Sequence, residues 1–233
     1  MSEESKQPYS LPEGTMGPSP IPRDHGTNQL YAPAGHPEIV ARHPYDVASQ
    51  AGHNVVADLT DATLYLQEHY GISTPGIANT VPEPTTAPDG GESRRTFIAT
   101  DRVNGVNMFT QMSEVPRDVL LATFQAMIRY YEDAAADPTN RLYFTELNLR
   151  QCMYGTATGD ETPRVYKVDI DPWLGNRAHG TPAFAPSFDQ GVSNLAGELL
   201  AFTRRFPDVD VSALAGRMEG IGRAFDAYVP PYI

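Results

Sequence analysis

A single cysteine, Cys152, is all this 233-residue chain contains. An intrachain disulfide is therefore impossible, and a reducing compartment, with the cytoplasm as the default, is the expectation. Positive charge is also scarce, since 17 Lys and Arg face 29 Asp and Glu for a formal net charge of -12. Nucleic-acid binding needs a basic face to meet the phosphate backbone, so no nucleic-acid partner is expected. Long apolar runs are missing as well. Asn194 to Phe202 is apolar but short and carries Glu198, so no membrane span is expected. The opening Met-Ser-Glu-Glu-Ser-Lys-Gln is acidic and polar, unlike a secretory leader. The histidines are scattered with no zinc-ligand spacing, and no Gly-x-Ser-x-Gly elbow occurs. Cys152 lies in an apolar segment and reads as a small buried hydrophobe rather than a nucleophile.

The apolar content is sufficient for a packed core, either as one large domain or as two small lobes. Residues 1–25, rich in Pro, Gly, Ser and charge, read as a flexible arm. Gln29-Leu-Tyr-Ala32 and Glu38-Ile-Val-Ala-Arg42, on either side of a Pro/Gly turn, suggest a hairpin. Between Tyr45 and Tyr70, apolar residues at Val55, Val56, Leu59, Ala62, Leu66 and Tyr70 recur at helical spacing, with Gly71 as the stop. Residues 80–93 read as an exposed loop before a strand from Arg95 to Thr100, and Asp101 to Met108 as a connector with a glycine bend. A second helix is expected from about Glu114 to Ala135, with Ser113 as its N-cap and Pro116 in its first turn. Its stripe is Val115, Val119, Leu120, Phe124, Met127, Ile128 and Tyr131. After a loop over 173–187, two more helices are expected, from about Phe188 to Arg205 and from about Val211 to Tyr228. Strands come early and helices late, which indicates an α+β protein of two unequal lobes.

Between those helices lies the richest stretch, Tyr143-Phe-Thr-Glu-Leu-Asn-Leu-Arg-Gln-Cys-Met-Tyr154, followed by Val165-Tyr-Lys-Val-Asp-Ile-Asp-Pro172. It reads as a polar loop carrying Glu146 and Gln151, then two strands joined by a turn, the second ending on Asp169 and Asp171. A polar pair in a loop is often merely solvated, and aspartates are common where a strand meets a turn. Arg42 at a strand end equally suits a surface ion pair. Together, however, a carboxylate, an amide five residues later and a strand-end aspartate form a set of hard oxygen donors.

In that order the residues resemble the protein-kinase-like superfamily in a small, divergent form, over roughly residues 26–205. Thr145-Glu-Leu-Asn-Leu-Arg-Gln151 is similar to the catalytic loop and Lys167-Val-Asp-Ile-Asp171 to the strand leading to the magnesium aspartate. Glu38-Ile-Val-Ala-Arg42 is similar to the strand bearing the phosphate-binding lysine, with Arg42 in its place. Phe97-Ile-Ala-Thr-Asp-Arg-Val-Asn-Gly-Val-Asn-Met108 resembles the hinge that receives adenine, and Ser187 to Leu200 resembles a helix that begins with a buried aspartate, here Asp189.

The resemblance implies a two-lobed protein-kinase-like fold, with a small β-rich N-lobe and hinge over 26–104 and a mostly helical, shortened C-lobe over 105–233. It implies an ATP-dependent phosphotransferase in which Glu146 orients the acceptor, Gln151 and Asp169 bind magnesium, and Arg42, Thr100, Arg102 and Val103 bind the nucleotide. Several positions depart from the family. Glu146 and Gln151 are each a methylene longer than the family residue, and only Gly26 and Gly35 flank the first strand pair where a glycine-rich cover is expected. Two other readings therefore stand beside the enzyme: a pseudokinase whose acidic surface suits a basic protein partner, and an unrelated α+β interaction protein.

Overall fold

The computed structural model describes residues 30–31, 36–42, 55–78, 82–86, 92–96, 98–136, 144, 146–169 and 184–228. In chain order the elements are β1 (Leu30–Tyr31), β2 (Ile39–Arg42), α1 (Val55–Tyr70), β3 (Ile77–Ala78), β4 (Pro82–Thr86) and β5 (Glu92–Thr96). They continue with β6 (Ile98–Asp101), β7 (Asn104–Asn107), α2 (Arg117–Ala136), β8 (Cys152–Thr156), β9 (Arg164–Lys167), α3 (Phe184–Arg205) and α4 (Ser212–Tyr228). This is a mixed α+β protein with small antiparallel sheets. The arm over 1–25 and the part of the first helix before Val55 lie outside the described residues.

The chain divides into two compact units. The first comprises 1–60, 75–104 and 157–160. Its sheet runs β1-β2-β6-β3, with β2 pairing β6 in the register Val40↔Thr100. The apolar alternation of Ile39 and Ala41 on β2 puts both on the buried face, with Ala99 of β6 also in the core. Residues 80–93, expected as a loop, instead contribute to a ribbon in which β4 pairs β5 from Pro82↔Thr96 to Thr86↔Glu92. Prolines in Pro82-Glu-Pro-Thr-Thr86 hid this strand; an edge strand tolerates proline because its outward N–H needs no partner.

The second unit comprises 61–74, 105–156 and 161–233. Its sheet runs β7-β8-β9, extended by Ser73, whose N–H donates to Val165 and whose carbonyl accepts from Lys167. The hairpin read from the sequence is present, with β8 and β9 in the register Cys152↔Lys167. Asp101 to Met108, expected as a connector, holds the end of β6 and all of β7. Gly105 is no bend: a Cβ there would stand 2.2 Å from the Tyr154 carbonyl oxygen, so glycine permits the close passage of β8.

The α2 stripe is core as expected, with Leu120, Phe124, Met127, Ile128 and Tyr131 buried. Its start differs from the sequence reading. Ser113 sits inside a 3-10 turn, Met112–Glu114, and Val115 is extended at φ -93, ψ 135. Proline disfavours helical geometry at the residue before it, so the helix begins only beyond Pro116, whose carbonyl accepts from Leu120. Phe124 meets Phe202 of α3 edge to face at 5.5 Å, and α4 packs on both α2 and α3. Gly71, at φ 68, terminates α1 as the sequence suggested. The carbonyl of His69 there accepts a hydrogen bond from Arg129.

Candidate functional site

The loop from Phe144 to Gln151 has little secondary structure of its own, so its backbone polar groups must find partners elsewhere. Two adjacent tyrosines of α2 supply them. Tyr130 accepts a hydrogen bond from the Phe144 N–H at 2.8 Å and donates to the Phe144 carbonyl at 3.1 Å. Tyr131 accepts from the Leu147 N–H at 3.1 Å, and its hydroxyl meets the Leu147 carbonyl at 3.4 Å. Both rings are buried, and the Tyr131 phenol is held well above its ordinary ionisation range, chiefly by burial. Each hydroxyl thus serves both halves of one residue's backbone.

Farther along the loop the anchor is a carboxylate. Glu198, on α3 and 1% exposed, accepts from the Leu149 N–H at 2.6 Å and the Arg150 N–H at 3.1 Å. Arg150 is its cation, with Nε 3.5 Å from Oε1. Burial pushes the Glu198 carboxyl up to about 7 against the opposing pull of those two amides and Arg150. Asn148, also buried, caps the 3-10 turn Leu149–Gln151 by accepting from the Gln151 N–H at 3.3 Å.

On this fixed backbone Glu146 and Gln151 come together, Gln151 Nε2 donating to Glu146 Oε2 at 3.1 Å. Glu146 is exposed and Gln151 half-buried. A carboxylate can only accept, so the amide nitrogen faces it and Gln151 Oε1 is left for another donor or a cation. The Gln151 carbonyl accepts from Val168, which stitches the loop to the end of β9 immediately before Asp169. Asp169 is half-buried and its carbonyl accepts from Lys167 Nζ. Lys167 is itself 2% exposed, with Nζ 5.7 Å from the centroid of the Phe144 ring. Asp171 lies outside the described residues.

The remaining candidates fall in the other unit. Arg42 ends β2, paired in register with Leu30 and Ile98. Thr100 is buried in β6 and Val103 just beyond it, while Arg102 is exposed and donates its backbone N–H to Glu38 at 2.7 Å. Asp189 needs correcting: it is exposed in α3, and the buried carboxylate of that helix is Glu198. Among the described residues no three His, Cys, Asp or Glu side chains gather into a metal-binding group, and no helix is long and apolar enough to cross a membrane.

The sequence reading missed Glu198 and the tyrosine pair as anchors. Glu198 left a usable signal: it is the lone charge on the stripe of Leu195, Leu199 and Phe202, and a lone acid on an apolar stripe needs a buried donor. Tyr130 and Tyr131 left a weaker one, since neighbours on a helix point about 100° apart and cannot both face the same partner.

No protein-family model matches this chain, and no curated protein is similar to it. Three chains of known structure match. One is described as WaaP in complex with acyl carrier protein, at 10% identity and a TM-score of 0.42, covering 92% of this chain and 90% of that one.

Proposed function

We propose that the protein is an atypical kinase-like phosphotransferase that uses Mg-ATP. The observation that carries this reading is the Glu146–Gln151 pair, hydrogen-bonded at 3.1 Å on a loop whose backbone is held by Tyr130, Tyr131 and Glu198. Pre-set loops of this kind suit phosphoryl transfer, where the protein contributes positioning and charge rather than covalent chemistry. Gln151 Oε1 and the Asp169 carboxylate are the donor types magnesium prefers, and the bound ion would neutralise charge on the phosphates. Glu146, one hydrogen bond from Gln151, orients an acceptor hydroxyl as a proton acceptor. Arg42 is the cation on the nucleotide side of this reading, with Thr100, Arg102 and Val103.

The experiment is a thermal-shift titration with Mg-ATP on the wild type and Asp169→Ala. A nucleotide-dependent rise in the wild type that weakens in the variant is expected. No rise at millimolar nucleotide refutes the reading. A pseudokinase is favoured by one observation, that Glu146 is engaged by Gln151 through the very carboxylate an acceptor would need. Binding without phosphoryl transfer or hydrolysis selects that alternative.

A further inference from the structure

Glu198 is buried, yet everything that covers its two oxygens belongs to one short turn: the N–H groups of Leu149 and Arg150 and the Arg150 guanidinium. We propose that Glu198 is a proton-operated latch, holding the Glu146–Gln151 loop closed against α3 when protonated and releasing it when ionised. The geometry supplies the coupling. A buried carboxylate gains most from water, and water reaches Glu198 only if the Leu149–Arg150 backbone lifts away. The turn that lifts leads directly into Gln151, whose amide holds Glu146.

Other charges around Glu198 do not titrate in its place. Arg150 faces it from the turn and stays cationic. Tyr131 faces it from α2 and Cys152 from β8; both are pushed upward and remain neutral near physiological pH. Lys167, on β9 opposite Cys152 in register, pulls the thiol partly back down. Burial raises the Glu198 carboxyl from 4.5 to about 7, so the closed loop binds the proton more tightly than an open, hydrated one. By linkage the closed form is favoured below 4.5 and progressively lost as pH rises towards 7. Arg150, stacked 4.1 Å over the Phe109 ring and exposed, limits how far ionisation can open the turn.

The latch needs no nucleotide; only its consequence for catalysis rests on the phosphotransfer reading. Its test is hydrogen exchange of the Leu149 and Arg150 amides in the nucleotide-free chain between pH 5 and 8, corrected for the intrinsic pH dependence of exchange. Linkage with the two Glu198 values predicts that the opening constant grows on the order of fifty- to a hundredfold across that range. Amides of Phe124 and Ile128 in α2 serve as controls and should not follow. Glu198→Gln should abolish the increase, and Arg150→Met, at an exposed position, should enlarge it above neutral pH. Loop protection that is flat with pH, or that strengthens as pH rises, overturns the latch. So does a change shared equally by the α2 amides, which would mark global unfolding, or a failure of Arg150→Met to enlarge the opening. Mg-ATP binding with no pH-linked loop opening would leave the phosphotransfer reading standing and the latch refuted.

Discussion

Tyr131→Phe deletes one oxygen and leaves the ring, so it isolates what the hydroxyl does. That oxygen accepts from the Leu147 N–H at 3.1 Å and lies 3.4 Å from the Leu147 carbonyl. Leu147 is fully buried, so water cannot replace the lost partner without opening the loop. An unsatisfied buried N–H costs about 1–3 kcal/mol, and the long carbonyl contact adds little. Ring burial is unchanged, so the expected loss is about 1–3 kcal/mol in urea unfolding, with no change in the m-value. Exchange at the Leu147 amide should accelerate by one to two orders of magnitude, at about 1.4 kcal/mol per tenfold. Tyr130→Phe should act likewise at Phe144, and the double variant should be non-additive because both grips hold one short segment. A loss below about 0.5 kcal/mol with unchanged Leu147 protection would refute the clamp.

Two further outcomes follow from the same structure. Gly105→Ala would place a Cβ 2.2 Å from the Tyr154 oxygen and 2.7 Å from the Gly155 Cα, both backbone atoms, so β7 and β8 must part. About 1–3 kcal/mol of destabilisation is expected in chemical denaturation, and a neutral result would contradict the close approach. Cys152 is buried and its thiol is pushed up to about 12, chiefly by burial. A thiol reagent at pH 8 should label it only on the timescale of unfolding, and rapid stoichiometric labelling of the native protein would be the contrary result.

Legibility in the sequence tracked the strength of a repeating pattern. The α2 stripe, the β8–β9 hairpin and the glycine stop at Gly71 were readable because each follows from period or local backbone chemistry. The β4–β5 ribbon was not, since its residues are polar, proline-bearing and without alternation. Val115 shows how one local rule overrides another: serine favours an N-cap, yet the proline two residues after Glu114 delays the helix to Arg117. At the candidate site, Glu146 and Gln151 were readable as residues, and their mutual hydrogen bond was not. What holds their loop comes from α2 and α3, with Glu198 48 and 49 positions from the amides it receives. No local pattern carries a contact of that separation. Asp189 was chosen by its place at the start of the helix, whereas burial selected Glu198 two and a half turns further on.

The spacing of the two tyrosine grips also bears on which insertions the chain can absorb. Tyr130 and Tyr131 are neighbours on a rigid helix, and the residues they hold, Phe144 and Leu147, are three apart. The distance between grips is thus set by α2 and matched to a fixed length of loop. One residue added or deleted between Phe144 and Leu147 would leave a hydroxyl without its backbone partner and rotate Glu146 away from Gln151. Glu161 to Pro163, exposed on the way into β9, have no such ruler and could lengthen freely. In a set of diverged chains built on this plan, length variation should therefore collect in that turn while the interval from Phe144 to Leu147 keeps its count.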